Sequence, residues 1–467
     1  MNNTMPLPKK NISISSGSVI LVGFLASLAG LMFGLDIGVI SGANEFIKRE
    51  FAASDHQIEM IVSSMMFGAA LGALACGWAS AKFGRNRCLI VSAFIFIASA
   101  IGCSLARGVI DLCAWRFLLG IAIGIASTTA PLYIAEIAPE ETRGSMISSY
   151  QLMITIGILL AFVSDTILGY YGAWRWMLGI ICLPAIIFLI GLLSLPNSPR
   201  WLVTQNRKKE AYDVLLGLRH GNEEHVEKEL REIEEQIKSS QKGFQFFLSN
   251  ANFRRSVFLG IMLQIVQQFT GMNVVMYYAP RIFANMGYAQ TAQLWFTALV
   301  GLVNVAATFI AIGVCDKLGR KPTLYSGFTI MAIGLGVISF LMRNGPIADP
   351  MTQYFCVGML LIFIVGFAMS AGPLVWVLCS EIQPLQGREF GIATSTVTNW
   401  LANFVVGATF LTLINTLGSS MTFMLYCGFN ILFIVFTFFM VPETSQVTLE
   451  QIEENLMAGK PLREIGR

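Results

Sequence analysis

Charge is what this chain has least of. Only 13% of its 467 residues are Asp, Glu, Lys or Arg, while 55% are hydrophobic. A typical soluble domain is about 25% charged. A chain this poor in charge cannot cover a water-facing surface, which excludes a large soluble helical protein. Histidine is nearly absent: His56, His220 and His225 fall in predicted loops or in a polar linker, which argues against a histidine-based metal or catalytic site. The nine cysteines form no CxxC pair and no Cys/His cluster of metal spacing. Most of them, Cys76, Cys103, Cys113, Cys182, Cys356 and Cys427 among them, sit inside apolar runs, as small packing residues do. No GxxxxGK[ST] phosphate loop is present, which argues against an ATP-driven pump. The net charge of +3 gives no electrostatic footing for nucleic acid. The expectation is therefore no metal, no cofactor and no enzyme activity.

What the chain has instead is long apolar runs. A helix needs about 20 apolar residues to cross the hydrocarbon of a bilayer. Such stretches lie near 18–41, 58–80, 88–106, 111–134, 147–170 and 175–195, then near 256–280, 292–314, 323–342, 353–379, 389–414 and 420–441. The first, about Val19 to Ile40, is too long for a signal-peptide core of roughly 7–15 residues and reads as a retained membrane helix. The expectation is an all-α membrane protein of twelve transmembrane helices in two six-helix bundles. Its parts would be an N-terminal segment 1–17, a first bundle 18–195, a helical linker 196–255, a second bundle 256–441 and a tail 442–467.

Lys and Arg set the orientation. With both termini on the cytoplasmic side, the inner segments hold 24 of the 31 basic residues and the outer loops six: Lys48, Arg49, Arg107, Arg175, Arg281 and Arg343. Arg116 remains inside a helix. The linker, rich in Glu, Lys and Arg, spaces Leu215, Leu218, Val226, Leu230, Ile233 and Ile237 near the helical period. It reads as short amphipathic helices under the membrane domain, either a solvated connector or a latch between the halves.

The two halves echo each other. Lys82-Phe83-Gly84-Arg85 recurs as Lys317-Leu318-Gly319-Arg320, Glu136 before Arg143 recurs as Glu381 before Arg388, and Pro196 recurs as Pro442. A parallel repeat of six spans implies two bundles about an axis along the membrane normal, with the substrate site between them and alternating access by rocking. The repeated loops offer Lys and Arg to acids and helix C-termini at the inner face. Arg85, Glu136, Arg143, Arg320, Glu381 and Arg388, with Asp316 beside the second loop, read as gate residues whose pairs hold the inner side shut; simple positive-inside anchoring is the alternative.

Asp36 lies within the first span, and Arg116 in the fourth is its natural partner. A carboxylate at that depth costs several kcal/mol unless paired, neutralised or hydrated. Next to Arg116 it stays ionised; separated in a dry site, it takes a proton. That is the minimum equipment for proton coupling, against the alternative of a static ion pair. In the seventh span, Gln264, Gln267, Gln268 and Asn273 crowd within ten residues, next to Tyr277 and Tyr278. Amides donate and accept at once, which suits the vicinal hydroxyls of a neutral sugar; the alternative is glue between helices at about 1 kcal/mol each. Asp165, near the end of the fifth span, reads as a solvated outer rim residue.

These stretches resemble the sugar porter family of the major facilitator superfamily. The resemblance rests on Gly34-Leu35-Asp36-Ile37-Gly38, Pro131 to Glu136, Glu141-Thr142-Arg143-Gly144 and Pro196-Asn197-Ser198-Pro199-Arg200-Trp201. In the second half it rests on Gln267 to Asn273, Asp316 to Pro322, Gly372-Pro373-Leu374-Val375-Trp376 and Pro442-Glu443-Thr444. It runs over nearly the whole chain and is nearest to bacterial galactose–proton and arabinose–proton symporters. Two positions depart from the family pattern: Ala81 stands where an Asp is frequent, and Asn197 where Glu is usual.

The resemblance implies an acid for proton coupling at Asp36. It implies a sugar site that takes, besides the amides and Tyr277, Phe33 from the first span, Gln151 from the fifth, Asn304 from the eighth, Trp376 from the tenth, and Asn399 with Trp400 from the eleventh. Trp376 offers a face for a pyranose ring, and Gly372 with Pro373 can break its helix. The implied protein is a monomeric monosaccharide–proton symporter of the bacterial inner membrane, importing a hexose such as galactose or glucose, or a pentose such as arabinose or xylose. Its partners would be the sugar, the proton and the lipid bilayer. An uncoupled facilitator is the first alternative. A transporter-like sensor is the second, with 25 residues after Pro442 leaving it little room.

Overall fold

The computed structural model describes residues 18–138, 140–219, 222–239 and 243–466, and among them no strand forms. In chain order the first half comprises α1 (Ser18–Glu50), α2 (Asp55–Phe83), α3 (Arg85–Leu105), α4 (Val109–Ile137), α5 (Glu140–Gly169) and the paired α6 (Trp174–Gly179) and α7 (Cys182–Leu193). The linker holds α8 (Pro199–Thr204), α9 (Lys208–Leu218), α10 (Glu223–Ser239) and α11 (Gly243–Ser249). The second half comprises α12 (Ala251–Phe269), α13 (Met272–Asn285), α14 (Gln290–Leu318), α15 (Arg320–Leu341), α16 (Pro350–Ala368), α17 (Ala371–Glu381) and α18 (Arg388–Met440), and α19 (Leu449–Met457) follows. The segment 1–17 lies outside the described residues.

Several helices outrun the apolar stretches that predict them. Hydropathy marks the part of a helix that crosses hydrocarbon, whereas the backbone needs its own stop signal. For α1 that stop comes at Glu50, nine residues beyond the expected 41. Ser54 then restarts the chain with a capping box, its hydroxyl accepting from Gln57 N while Gln57 Oε1 accepts from Ser54 N.

Among the described residues, eleven helical runs are long and apolar enough to cross a membrane. The eleventh, Leu385–Met440, contains Gly418 at φ 81, ψ 161, which splits α18 into two arms. Each arm exceeds the ~20 residues a crossing needs, so the chain crosses twelve times. A left-handed φ is open to glycine at little cost, so one residue serves where a loop was expected.

Within the first half α1 lies on α5 and α2 on α4. Gly34, Gly38 and Gly42 face α5, where a methyl group would strike Ile154, Ala161 or Asp165. Small residues on one stripe let two backbones approach without a hydrophobic driving force. Large apolar residues such as Leu74, Trp78, Ile110, Phe309 and Phe355 remain exposed around the outside, as a lipid-facing wall requires.

The linker is folded. Trp201, Leu202, Val203, Ala211, Leu215, Val226 and Ile233 form a small core of their own. Trp201 Nε1 donates to Ala81 O and Arg219 Nη1 to Ile137 O, which ties it to the first half. Phe244 and Phe247 lie against Phe390 of the second.

Candidate functional site: a buried ion pair and an amide cluster

Arg116 donates from Nη1 to Asp36 Oδ1 at 3.0 Å and from Nη2 to Asp36 Oδ2 at 3.3 Å. Its Nε donates to Ile61 O at 2.9 Å. Both charged side chains are 0% exposed. One guanidinium thus pins α1, α2 and α4 together through a planar fork that lysine could not reproduce. A pair this deep repays its desolvation only while both partners are in place.

The amides of the second half gather on two broken helices. Pro373 has no N–H and its ring crowds the carbonyl four residues back. The break falls just upstream, at Ser370 (φ −133, ψ −92), between α16 and α17. Gln267 Nε2 answers two carbonyls of that break, Ala371 O at 2.9 Å and Gly372 O at 3.0 Å. Asn399 Nδ2 donates to Gln264 Oε1 at 2.6 Å and to Gln267 Oε1 at 2.8 Å. A second break, at Gly271 with φ 92, separates α12 from α13. There Asn273 Nδ2 donates to Gln268 Oε1 at 2.6 Å. The cluster is therefore two hydrogen-bonded sets, Gln264–Asn399–Gln267 and Asn273–Gln268, rather than four independent amides.

Around it, the structure places Phe33 of α1 against Trp400 of α18, with ring centroids 5.2 Å apart across the two halves. Trp400 is buried, and Trp376 is 37% exposed. Gln151 and Asn273 are half-buried and Asn304 is buried. Tyr277 accepts from Asn403 Nδ2 at its hydroxyl (2.9 Å) and from Asn44 Nδ2 at its carbonyl (3.2 Å), the latter joining α13 to α1.

The halves close on each other at the face opposite the linker. Glu59 of α2 is 1% exposed and accepts from Thr412 N at 2.7 Å and Thr412 Oγ1 at 2.6 Å. Asp55 pairs with Lys48 at 2.5 Å and with Arg281 at 3.7 Å, and accepts from Asn415 Nδ2 at 2.8 Å. Thr166 Oγ1 donates to Leu294 O at 3.2 Å. None of Glu59, Asp55, Thr412 and Asn415 was singled out from the sequence. They stand near predicted span ends, and their partners lie some 350 positions away. The sole cue was the two acids in the opening turns of the second span.

Asp165 corrects an expectation. It is not a solvated rim residue but is 1% exposed, packed on Gly42. Position along a span gives depth, not the direction a side chain faces. Here α1 covers one side of α5 while α14 closes over its end.

At the linker end the polar pairs run within each half. Arg85 grips Glu136 with Nε and Nη2 at 3.0 and 2.9 Å. Arg320 Nη2 meets Glu381 Oε1 at 3.2 Å. Arg388 donates to Gln383 O, at 3.4 Å, rather than to Glu381. The side chains of Arg143 and Asp316 lie outside the described residues. The repeat also has an asymmetry here. Glu443 accepts from Arg320 N and Lys321 N, at 3.0 and 2.9 Å, and so caps α15. Asn197, its counterpart beside Gly84 at the start of α3, has a buried Oδ1 with no hydrogen-bond partner among the described residues.

Two six-span halves, the first with a buried ion pair in its core and the second with a cluster of amides, define a membrane carrier of the major facilitator type. Residues 22–456 match the family described as sugar (and other) transporter. The galactose-proton symporter of Escherichia coli strain K12 is 58% identical over 463 residues, covering 99% of each chain. The arabinose-proton symporter of the same strain is 50% identical over 470 residues, covering 100% of this chain and 99% of that one. Among solved structures, the partially occluded inward-open conformation of the E. coli xylose transporter XylE superposes with a TM-score of 0.81 at 29% identity, over 92% of this chain and 99% of that one. The chain belongs to the sugar transporter family.

Proposed function

We propose that this protein is a monosaccharide–proton symporter of the bacterial inner membrane, with both termini and the linker in the cytoplasm, working as a monomer by alternating access. The observation that carries the reading is the fully buried pair of Asp36 on α1 with Arg116 on α4; α1 is also the helix that reaches the second half through Asn44 and Phe33. Relatives at 58% and 50% identity named as galactose-proton and arabinose-proton symporters support it.

In this reading the contacts at the face opposite the linker are the shut outer gate, and the structure is inward-facing. Sugar hydroxyls compete for the amides of Gln267, Gln268, Asn273 and Asn399, with Gln151 and Asn304 completing the polar lining. Phe33, Tyr277, Trp376 and Trp400 pack the apolar face of the ring. A proton on Asp36 cancels its attraction for Arg116 and loosens α1 from α4, so proton and sugar bias the same rocking motion. Arg85 with Glu136 and Arg320 with Glu381, joined by Arg143, Asp316 and Arg388, brace the inner ends of the halves for the opposite closure.

The test is external pH in a de-energised, unbuffered suspension of cells lacking their own uptake systems, on adding galactose, glucose, arabinose and xylose in turn. The expected outcome is transient alkalinisation with at least one sugar, absent in Asp36→Asn. Radiolabelled uptake with no pH change would leave a facilitator and remove the coupling role of Asp36.

A further inference from the structure

A second intramembrane acid is left unused by this scheme. Both carboxyl oxygens of Asp165 are buried and find no hydrogen-bond partner among the described residues. The Gly42 backbone, held within α1, is the polar group beside them. Among the described residues, no cation forms an ion pair with Asp165. On α1, Asp36 is taken by Arg116, Arg49 reaches Gln290, Glu50 holds Arg175, and Glu45 and Lys48 line the seam with Asp55 and Arg281. On α4, Arg116 is spent on Asp36 and Ile61 O, Glu136 on Arg85, and Asp111 accepts from Arg107 N. On α6, Arg175 is held by Glu50 and two carbonyls. The other charged positions of α14, Asp316 and Lys317, and of α5, Glu140, Glu141 and Arg143, are more than twenty residues along the chain from Leu294 and from Asp165 respectively.

An isolated carboxylate in such a place costs far more than a neutral carboxyl. The positions beside it, Thr166 and Gly169 on α5 and Asn44 on α1, are met from the other half. Leu294 of α14 covers Gly169 and accepts from Thr166, and Tyr277 O accepts from Asn44.

We propose that Asp165 is a second proton site, occupied while the face opposite the linker is closed and vacated when that face opens. On opening, Leu294 and Tyr277 withdraw, water reaches the carboxyl, and its O–H bond breaks with the proton passing to that water. On closing, the proton is taken back from the same side. The site therefore makes closure proton-dependent without adding a proton to each sugar carried. The sign follows. The buried form is the protonated one, so closure is favoured at acid pH and weakens as pH rises above the hydrated aspartate range, about 4.

The inference rests on the alternating-access reading but is tested apart from proton-coupled uptake. Spin labels at Ala52 and Thr416, exposed positions on that face, report its opening in purified protein in lipid nanodiscs, in an Asp36→Asn background with native cysteines replaced. The expected result is a distance distribution that shifts to longer values as pH rises, and that stays short once Asp165→Asn is added. A background protein with no pH response, or a response that survives Asp165→Asn, overturns the proposal. Infrared spectra of the otherwise native protein at neutral pH give an independent check. A carboxylic-acid stretch that vanishes in Asp165→Asn is expected, and its absence refutes the site. Failure here leaves the pH-electrode test of symport untouched.

Discussion

The two halves solve the problem of buried polarity in different ways. The first carries a full ion pair in its core, Arg116 forked onto Asp36 with Ile61 O as a third partner. The second carries none in its amide cluster: Gln264, Gln267 and Asn399 satisfy one another and the carbonyls bared where α16 meets α17. An ion pair changes character when one proton arrives; a set of amides does not. The repeat has thus been divided, with the element that responds to a proton on one side and a neutral hydrogen-bonding surface on the other.

The sharpest way to break that contrast is to remove one partner of the pair. Arg116→Ala leaves Asp36 buried without its cation and should cost about 3–5 kcal/mol, read as a large drop in the melting temperature of detergent-solubilised protein. Adding Asp36→Asn to it should recover much of the loss. A smaller effect is expected from the second half. Gln267→Ala frees two carbonyls and an amide of Asn399, for roughly 1–3 kcal/mol, and weakens sugar binding measured by calorimetry without altering the pH dependence of uptake. The smallest change sharpens the comparison at the linker end. Asn197→Glu gives α3 the carboxylate that Glu443 gives α15, and should raise stability by about 0.3–1 kcal/mol, an increment that salt reduces.

Much of this was legible in the sequence because the bilayer enforces it. Apolar runs must cross, and a lone Arg116 within a span needs an acid. Asp36 and Arg116 do meet, and the amides of the seventh span do cluster. What could not be read were relations across the seam. Glu59 and Asp165 look alike in sequence, acids near the ends of spans. Yet one is gripped by Thr412 of the other half and the other lies against Gly42 with no side-chain hydrogen bond among the described residues. The break at Ser370 was anticipated two residues later, at Gly372 and Pro373, because the ring of a proline acts on the turn before it.

Gly418 has a mechanical consequence. The arms of α18 meet at a single residue with no slack, and the helix packs on α2, α12 and α15. Such an elbow cannot absorb displacement as the open stretch from Met342 to Asp349 can. A tilt that starts where α18 touches the first half is handed on to α15 as leverage, so the last two crossings travel as one bent rod.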